Sequence, residues 1–77
     1  MTPERLLAFE AAHLMPFGPM KNDAIRRELG ITPTRYFVLL ARAATSLEGV
    51  KADAVTARRV RDRAALRASV RTRRTAA

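Results

Sequence analysis

Arginines dominate the side chains that could do chemistry in this 77-residue sequence, and their chemistry is the binding of anions. A guanidinium group offers five donors in a planar fork that matches phosphate and the edge of guanine. Catalytic groups are sparse, because cysteine is absent and Ser46 and Ser69 have no recognisable partner in the single histidine, His13. Neither metal-ligand spacing nor a glycine-rich phosphate loop occurs. We therefore expect a protein that is not an enzyme and that uses no cofactor or metal.

The basic residues are concentrated towards the C-terminus. Residues 1–50 carry six basic and five acidic groups, whereas residues 51–77 carry nine basic and two acidic groups. This excess is greater than solubility requires and favours a polyanionic partner. Nucleic acid is the commonest such partner, and an acidic protein or an anionic membrane is the alternative. We expect no membrane binding, because residues 54–74 contain too few large apolar side chains to anchor a helix.

The N-terminal residues predict a first helix. Thr2 is suited to cap it and Pro3 to occupy its first position, and the segment from Met15 to Pro19 would end it. Helical spacing predicts a core-facing stripe with a flanking aromatic residue: Leu6, Leu7, Ala11 and Leu14, with Phe9 on the flank.

The middle third of the chain predicts a helix-turn-helix. Its first helix is expected from about Met20 to Leu29, or from Asn22 as a cap if it begins later, with Gly30 in the left-handed region. Thr32 and Pro33 would begin a second helix that ends near Thr45. The apolar side chains expected to converge between the two helices are Ile25, Leu29, Ile31, Tyr36 and Leu39. Ala24 belongs to the apolar stripe of the first helix, and Leu40 and Ala43 lie on the same side of the second helix as Tyr36.

The C-terminal third predicts a break followed by a basic helix. Residues 47–53 contain Gly49 and are expected to interrupt the helix, and Asp53 could cap a new one from Ala54 to about Arg71, with frayed residues after it. The apolar stripe of this helix is thin and consists of Ala57, Val60, Ala64 and Ala68. Arg59, Arg63, Arg67 and Arg71 repeat every four residues on a neighbouring face.

The segment from Lys21 to Leu40 resembles a family of short, uncharacterised helix-turn-helix proteins of actinobacteria and mycobacteriophages. The matching residues are Ala-Ile-Arg-Arg-Glu at 24–28 and Thr-Pro-Thr-Arg-Tyr-Phe-Val-Leu-Leu at 32–40. The sequence departs from the family pattern at Phe37 and Val38, where tyrosine and a polar residue are common. Arg26 also stands where a helix-turn-helix usually has a small residue. The resemblance implies a DNA-binding role in a bacterial or phage regulator or accessory factor.

Residues on the third and fourth predicted helices are the candidates for DNA contact. Arg35 could fork onto a guanine, and the threonines could contact phosphate or a thymine methyl group. The arginine stripe would bind phosphates. The candidate DNA-binding residues are Thr32, Thr34, Arg35, Val38, Arg42, Arg59, Arg63, Arg67 and Arg71.

Phe37 leaves the choice of partner open. Tyr36 is expected in the core, and adjacent helical residues cannot face the same way, so Phe37 either packs against the N-terminal helix or is exposed. Exposed Phe37 and Val38 would suit a homodimer. The alternative to DNA binding is a small protein-protein interaction module that binds a host factor through these residues and the basic helix.

The sequence as a whole predicts an all-α fold, a small bundle of three to four helices. Residues 1–50 would form the helix-turn-helix core, and residues 51–77 an arginine-rich helix or arm. No apolar run reaches the roughly 20 residues that span a bilayer, and the N-terminus does not resemble a secretory signal. We therefore expect a cytoplasmic protein, located at the nucleoid of a bacterial or host cell.

Overall fold

Five helices make up the computed structural model, which describes residues 1–76 of the chain. They are α1 (Pro3–Ala12), α2 (Pro19–Ala24, continued by a π-helical turn, Ile25–Leu29), α3 (Pro33–Thr45), α4 (Leu47–Ala52) and α5 (Ala54–Ala76). No strand occurs within residues 1–76, so the prediction of an all-α fold is confirmed. The predicted count of three to four helices is too low, because α4 forms where a break was expected.

The helix starts that were predicted from capping residues are confirmed. The hydroxyl of Thr2 accepts a hydrogen bond from the backbone N–H of Arg5 at 3.1 Å, and Thr32 accepts one from Arg35 at 3.2 Å. The Asp53 carboxylate accepts from the N–H of Thr56 at 3.0 Å. Each cap satisfies a donor that the first helical turn leaves unpaired, which is why these starts can be predicted from the local sequence.

The break predicted at residues 47–53 is wrong, because a short helix, α4, occupies most of it. The hydroxyl of Ser46 accepts from the N–H of Gly49 at 3.0 Å and caps this helix. Gly49 is buried where α4 turns back against the end of α3, and a Cβ added to it would overlap the backbone carbonyl of Ala43. The glycine that suggested a break therefore permits close packing.

The two ends of the second helix are set by glycines. Gly18, at a φ of 128°, precedes Pro19 at the first helical position. This start agrees to within one residue with the predicted start at about Met20, whereas the later start with Asn22 as a cap is wrong. Gly30 has a φ of 69° and ends the π-helical turn, which confirms the left-handed residue predicted there.

The core lies around α3, which packs against α1, α4 and α5. Its contact with α1 and α5 is more extensive than its contact with the π-helical turn before it. The buried apolar residues are Leu6, Leu7, Phe9, Ala24, Ile25, Tyr36, Leu40, Ala43, Ala44, Ala57 and Val60. Leu29, Ile31, Phe37 and Leu39 are partly buried against them.

Two predicted core stripes are too long. Ala11 and Leu14 are exposed, because α1 ends at Ala12 and the chain turns away, whereas Phe9 is buried rather than flanking. On α5, Ala64 and Ala68 are exposed, because the helix continues beyond the other elements.

The second half of α5 protrudes from the bundle. Residues 64–75 are all exposed, although the helix runs unbroken to Ala76 rather than ending near Arg71. Fraying was predicted for the last residues, and helix is found to Ala76; Ala77 lies outside the described residues. Over residues 1–76, no helix combines the length and apolar character needed to cross a membrane.

Candidate nucleic-acid interface

The outer face of α3 presents most of the residues predicted to contact bases. Thr34, Arg35, Val38 and Arg42 are exposed, and their spacing places them on one side of the helix, away from buried Tyr36. Arg35 and Arg42, seven residues apart, lie on nearly the same line along the helix. These side chains are therefore accessible to a partner along about two turns of α3.

Thr32 contributes differently from the other residues at this end of α3. It is exposed, but its hydroxyl oxygen already accepts the capping hydrogen bond from Arg35. The hydroxyl hydrogen remains available to donate to an anion.

The four arginines predicted to form one stripe on α5 do not share one environment. Arg59, Arg67 and Arg71 are exposed, and within residues 1–76 their guanidinium groups have no hydrogen-bond or ion-pair partner. Arg63 is half-buried, and its guanidinium donates to the Glu10 carboxylate at 2.7 Å. Its charge is therefore used largely within the fold.

The other arginines of α5 also divide into those that have a partner within the fold and those that are exposed without one in the described residues. Arg61 donates to the carbonyl of Ala44 at 2.6 Å, and Arg58 lies 3.9 Å from Asp62. Arg73 and Arg74, in the last turns of the helix, are exposed. The protruding half of α5 thus carries arginines at 67, 71, 73 and 74 and no acidic residue.

An apolar groove separates α3 from this basic segment. It has a volume of about 340 Å³ and lies between α3, α5 and the loop after α1. Its lining consists of Pro16, Phe17, Phe37, Leu40, Ala41, Val60, Arg63, Ala64, Leu66 and Arg67, and we call it the α3–α5 groove. Arg35 and Arg42 lie on the flank of α3 opposite Phe37, because residues 35 and 37 are two apart on the helix. Arg35 and Arg42 therefore lie on a different side of α3 from the groove and from the α5 arginines that line it.

Phe37 matches neither predicted alternative in full. It is half-buried, its ring meets that of Tyr36 edge-on with centroids 5.1 Å apart, and the Lys21 ammonium lies 5.8 Å from its centroid. The exposed edge of the ring lines the α3–α5 groove together with Phe17. Phe37 therefore packs against the core and is also partly accessible to a partner at the surface.

The main feature that sequence reasoning missed is a buried ionic network around Glu10. The Lys21 ammonium and the Tyr36 hydroxyl both donate to Glu10 Oε1 at 2.6 Å, and Arg63 donates to Oε2. Lys21 also donates to the carbonyl of Met15 at 2.8 Å. We call Glu10, Lys21, Tyr36 and Arg63 the Glu10 network; it joins α1, α2, α3 and α5.

The electrostatics of the network follow from burial and hydrogen bonding together. Burial alone would raise the pKa of Glu10, but the hydrogen bonds from Lys21, Tyr36 and Arg63 outweigh it and hold that pKa below its usual value. Burial lowers the pKa of Lys21 against the opposing pull of Glu10. Burial and the adjacent carboxylate raise the pKa of Tyr36, so its hydroxyl stays a donor.

One signal for this network was present in the sequence. Glu10 lies three and four residues after Leu7 and Leu6, on the buried stripe of α1, where an unpaired carboxylate would be unfavourable. Its partners could not be identified, because Arg63 lies 53 residues away. Within residues 1–76, no group of three or more His, Asp or Glu side chains is placed to hold a metal ion.

Comparison with known proteins identifies a family but no function. Comparisons with curated proteins and with solved structures gave no match. A family model described as a protein of unknown function, DUF3263, matches residues 2–75, which is nearly the whole chain. The chain therefore belongs to the DUF3263 family.

Proposed function

We propose that this protein binds double-stranded DNA and is not an enzyme, acting as a regulator or accessory factor in a bacterium or phage. In this proposal α2 and α3 act as a helix-turn-helix, and α3 enters the major groove with Thr34 and Arg35 towards base edges. Arg59, Arg67 and Arg71 bind phosphates, and Arg63 adds long-range charge. Thr32, Val38 and Arg42 complete the contact surface.

The observation that carries this proposal is the protruding half of α5. Residues 64–75 contain four arginines and no acidic residue, and all of them are exposed. Unpaired like charges on one helix repel each other, and a polyanion relieves this repulsion while releasing its counterions. The second support is the exposed face of α3, a helix that begins with Thr32 as its cap and Pro33 as its first residue.

The test is binding of the full chain to a labelled mixed-sequence duplex, measured by fluorescence anisotropy between about 50 and 200 mM salt. If Arg59, Arg67 and Arg71 contact phosphates, log affinity should fall against log salt with a slope of about −3. Absence of binding at about 50 mM salt would remove the proposal.

Paired charge variants locate the contact. Arg71→Gln should lower the slope by about 1, because one phosphate contact is lost. Lys51→Gln removes the same charge from an exposed position on α4, whereas Arg71 lies 17 residues, about 26 Å, beyond the start of α5. It should change the slope much less. Equal effects would show that only net charge matters and would contradict the assignment to α5.

Base readout is tested separately with selected duplexes. Sequences enriched from a random pool by the wild-type protein should lose about 1–3 kcal/mol of preference over random duplex in Arg35→Ala. Arg71→Gln should weaken both duplexes equally. If Arg35→Ala leaves the preference unchanged, α3 does not read the major groove through Arg35.

A further inference from the structure

The α3–α5 groove and the loop beside it form an extensive apolar surface. Leu14, Met15, Phe17 and Met20 are all exposed on or next to the loop between α1 and α2, and Phe17 is 70% exposed. On the opposite wall Leu66 is 61% exposed. A single exposed apolar residue is ordinary, but Phe17, Phe37 and Leu66 all line this one concave site, and such a cluster marks a binding surface.

The groove continues along the protruding part of α5. A shallower depression shares Leu66 and Arg67 with it and adds Val70, Arg71 and Arg74. Residues 66 and 70 are one helical turn apart, so their side chains form an apolar line about 6 Å long beyond the groove. The combined surface is an apolar track with arginines beside it.

The charge of the lining restricts what can occupy the track. Its charged residues are Arg63, Arg67, Arg71 and Arg74, and no acidic residue lines it. A second copy of the chain is a poor occupant, because each copy carries a net charge of +8. Duplex DNA matches the arginines, but its apolar surface is limited to isolated groups such as thymine methyls, which cannot fill the groove.

We propose that the α3–α5 groove binds an acidic, amphipathic helical segment of a partner protein. Apolar side chains on one face of that segment, spaced at i, i+4 and i+7, insert between Phe17, Phe37 and Leu66. Its carboxylates pair with Arg67, Arg71 and Arg74, whose guanidinium forks suit carboxylate oxygens. This surface goes beyond DNA binding, but Arg67 and Arg71 belong to both proposals, so an acidic partner and DNA would compete for them.

The probe for this inference is a synthetic helical peptide with leucines at that spacing and glutamates between them. Binding to the full-length protein is measured by anisotropy, and its location by amide chemical-shift mapping. We expect the largest shifts at Phe37, Ala41, Ala64 and Arg67. Two control peptides, one of scrambled order with the same composition and one with lysine for glutamate, should bind at least about tenfold more weakly.

Matched variants distinguish the groove from general charge attraction. Leu66→Glu should weaken the peptide at least about tenfold, because it removes an apolar contact and repels the carboxylates. Leu47→Glu introduces the same charge at an exposed leucine that does not line the groove, and should stay within about twofold. Phe17→Ala, on the exposed loop, should weaken the peptide without altering the fold.

Several outcomes would overturn the inference. Equal binding of the scrambled peptide would show plain electrostatic attraction to α5. A homodimer in sedimentation that Leu66→Glu dissolves would show that a second copy covers the groove. Duplex DNA shifting the Ala41 and Ala64 amides as strongly as the peptide would assign the groove to DNA. Failure of DNA binding alone, with peptide binding intact, would leave this inference standing and remove only the proposed function.

Discussion

At the scale of single residues, the most consequential group is Glu10. It is buried between four helices with three charged or hydroxyl donors around it. Removing a carboxylate and an ammonium from water is unfavourable, and the network is stable only while every donor keeps its acceptor. A buried ion pair adds little net stability compared with apolar residues, but the loss of one partner is strongly destabilising.

Glu10→Gln should destabilise the fold by about 3 kcal/mol, because Lys21 keeps its buried charge and loses its counter-charge. Urea unfolding at pH 7 measures the change. Glu48→Gln, the same change at an exposed position, should stay within about 0.5 kcal/mol. Glu10→Gln combined with Lys21→Met should recover part of the loss, since the uncompensated charge is gone. A double variant less stable than Glu10→Gln would contradict this account.

The same network makes stability depend on pH in the acid range. The pKa of Glu10 is lower in the folded protein than its ordinary value of 4.5, so the unfolded chain takes up its proton first. The contribution of Glu10 is therefore fully present above pH 4.5 and is lost as the pH falls through the lower, folded pKa. The carboxylate of Asp53, whose pKa the hydrogen bonds from Thr56 also lower, adds in the same direction.

The urea concentration at the midpoint of unfolding should be measured from pH 7 to about pH 2.5. It should fall most steeply once the pH is below about 4, where carboxyl groups of the unfolded chain take up protons. Glu10→Gln should flatten this dependence while lowering stability at pH 7. If the wild type and Glu10→Gln have parallel profiles, Glu10 does not carry the acid sensitivity.

At the scale of elements, the junction of α3 and α4 depends on Gly49. Ser46 ends α3 and caps α4, so the two helices meet with no spacer between them. The tight corner brings the Gly49 backbone against the last turn of α3, where the neighbouring atom is a carbonyl that cannot rotate away. This glycine is needed for space, whereas Gly30 is needed for its positive φ.

Gly49→Ala should therefore destabilise the protein by about 1–3 kcal/mol, the usual range for overpacking. Gly30→Ala has open space around the added Cβ and should cost about 1 kcal/mol from the left-handed backbone alone. Thermal unfolding followed by circular dichroism compares the two. Gly49→Ala as stable as the wild type would mean that α4 shifts away from α3 without penalty.

At the scale of the whole molecule, the fold divides α5 between two roles. Its first turns bury Thr56, Ala57 and Val60 and complete the core, whereas residues 64–75 bury nothing comparable. Only the N-terminal end of α5, a helix of 23 residues, therefore contributes buried apolar surface to the bundle. The other end holds unpaired positive charge away from the body.

Ending the chain after Leu66 should change the unfolding free energy by less than about 1 kcal/mol, because residues 67–75 are all exposed. Val60→Ala, which deletes two methyl groups of a buried side chain, should destabilise by at least about 1.5 kcal/mol. Urea unfolding of both variants makes the comparison. A large loss on truncation would show that the protruding residues stabilise the bundle.

The sequence by itself determined the features that depend on near neighbours. Thr2, Thr32 and Asp53 begin helices, and Gly30 ends one, because each acts on backbone groups within a few residues. The all-α class and the placement of Tyr36 in the core follow from helical spacing. The concentration of positive charge in the last third follows directly from the composition of that segment.

The tertiary structure decided which distant residues meet. Glu10 finds Lys21, Tyr36 and Arg63 only because four helices converge, and no local pattern encodes a contact across 53 residues. The same packing buries one face of Phe37 and leaves the other on a groove, and it withdraws Arg63 from a stripe that periodicity alone predicts as uniform. Periodicity gives the direction of a side chain around its own helix, whereas burial depends on which other helix covers it.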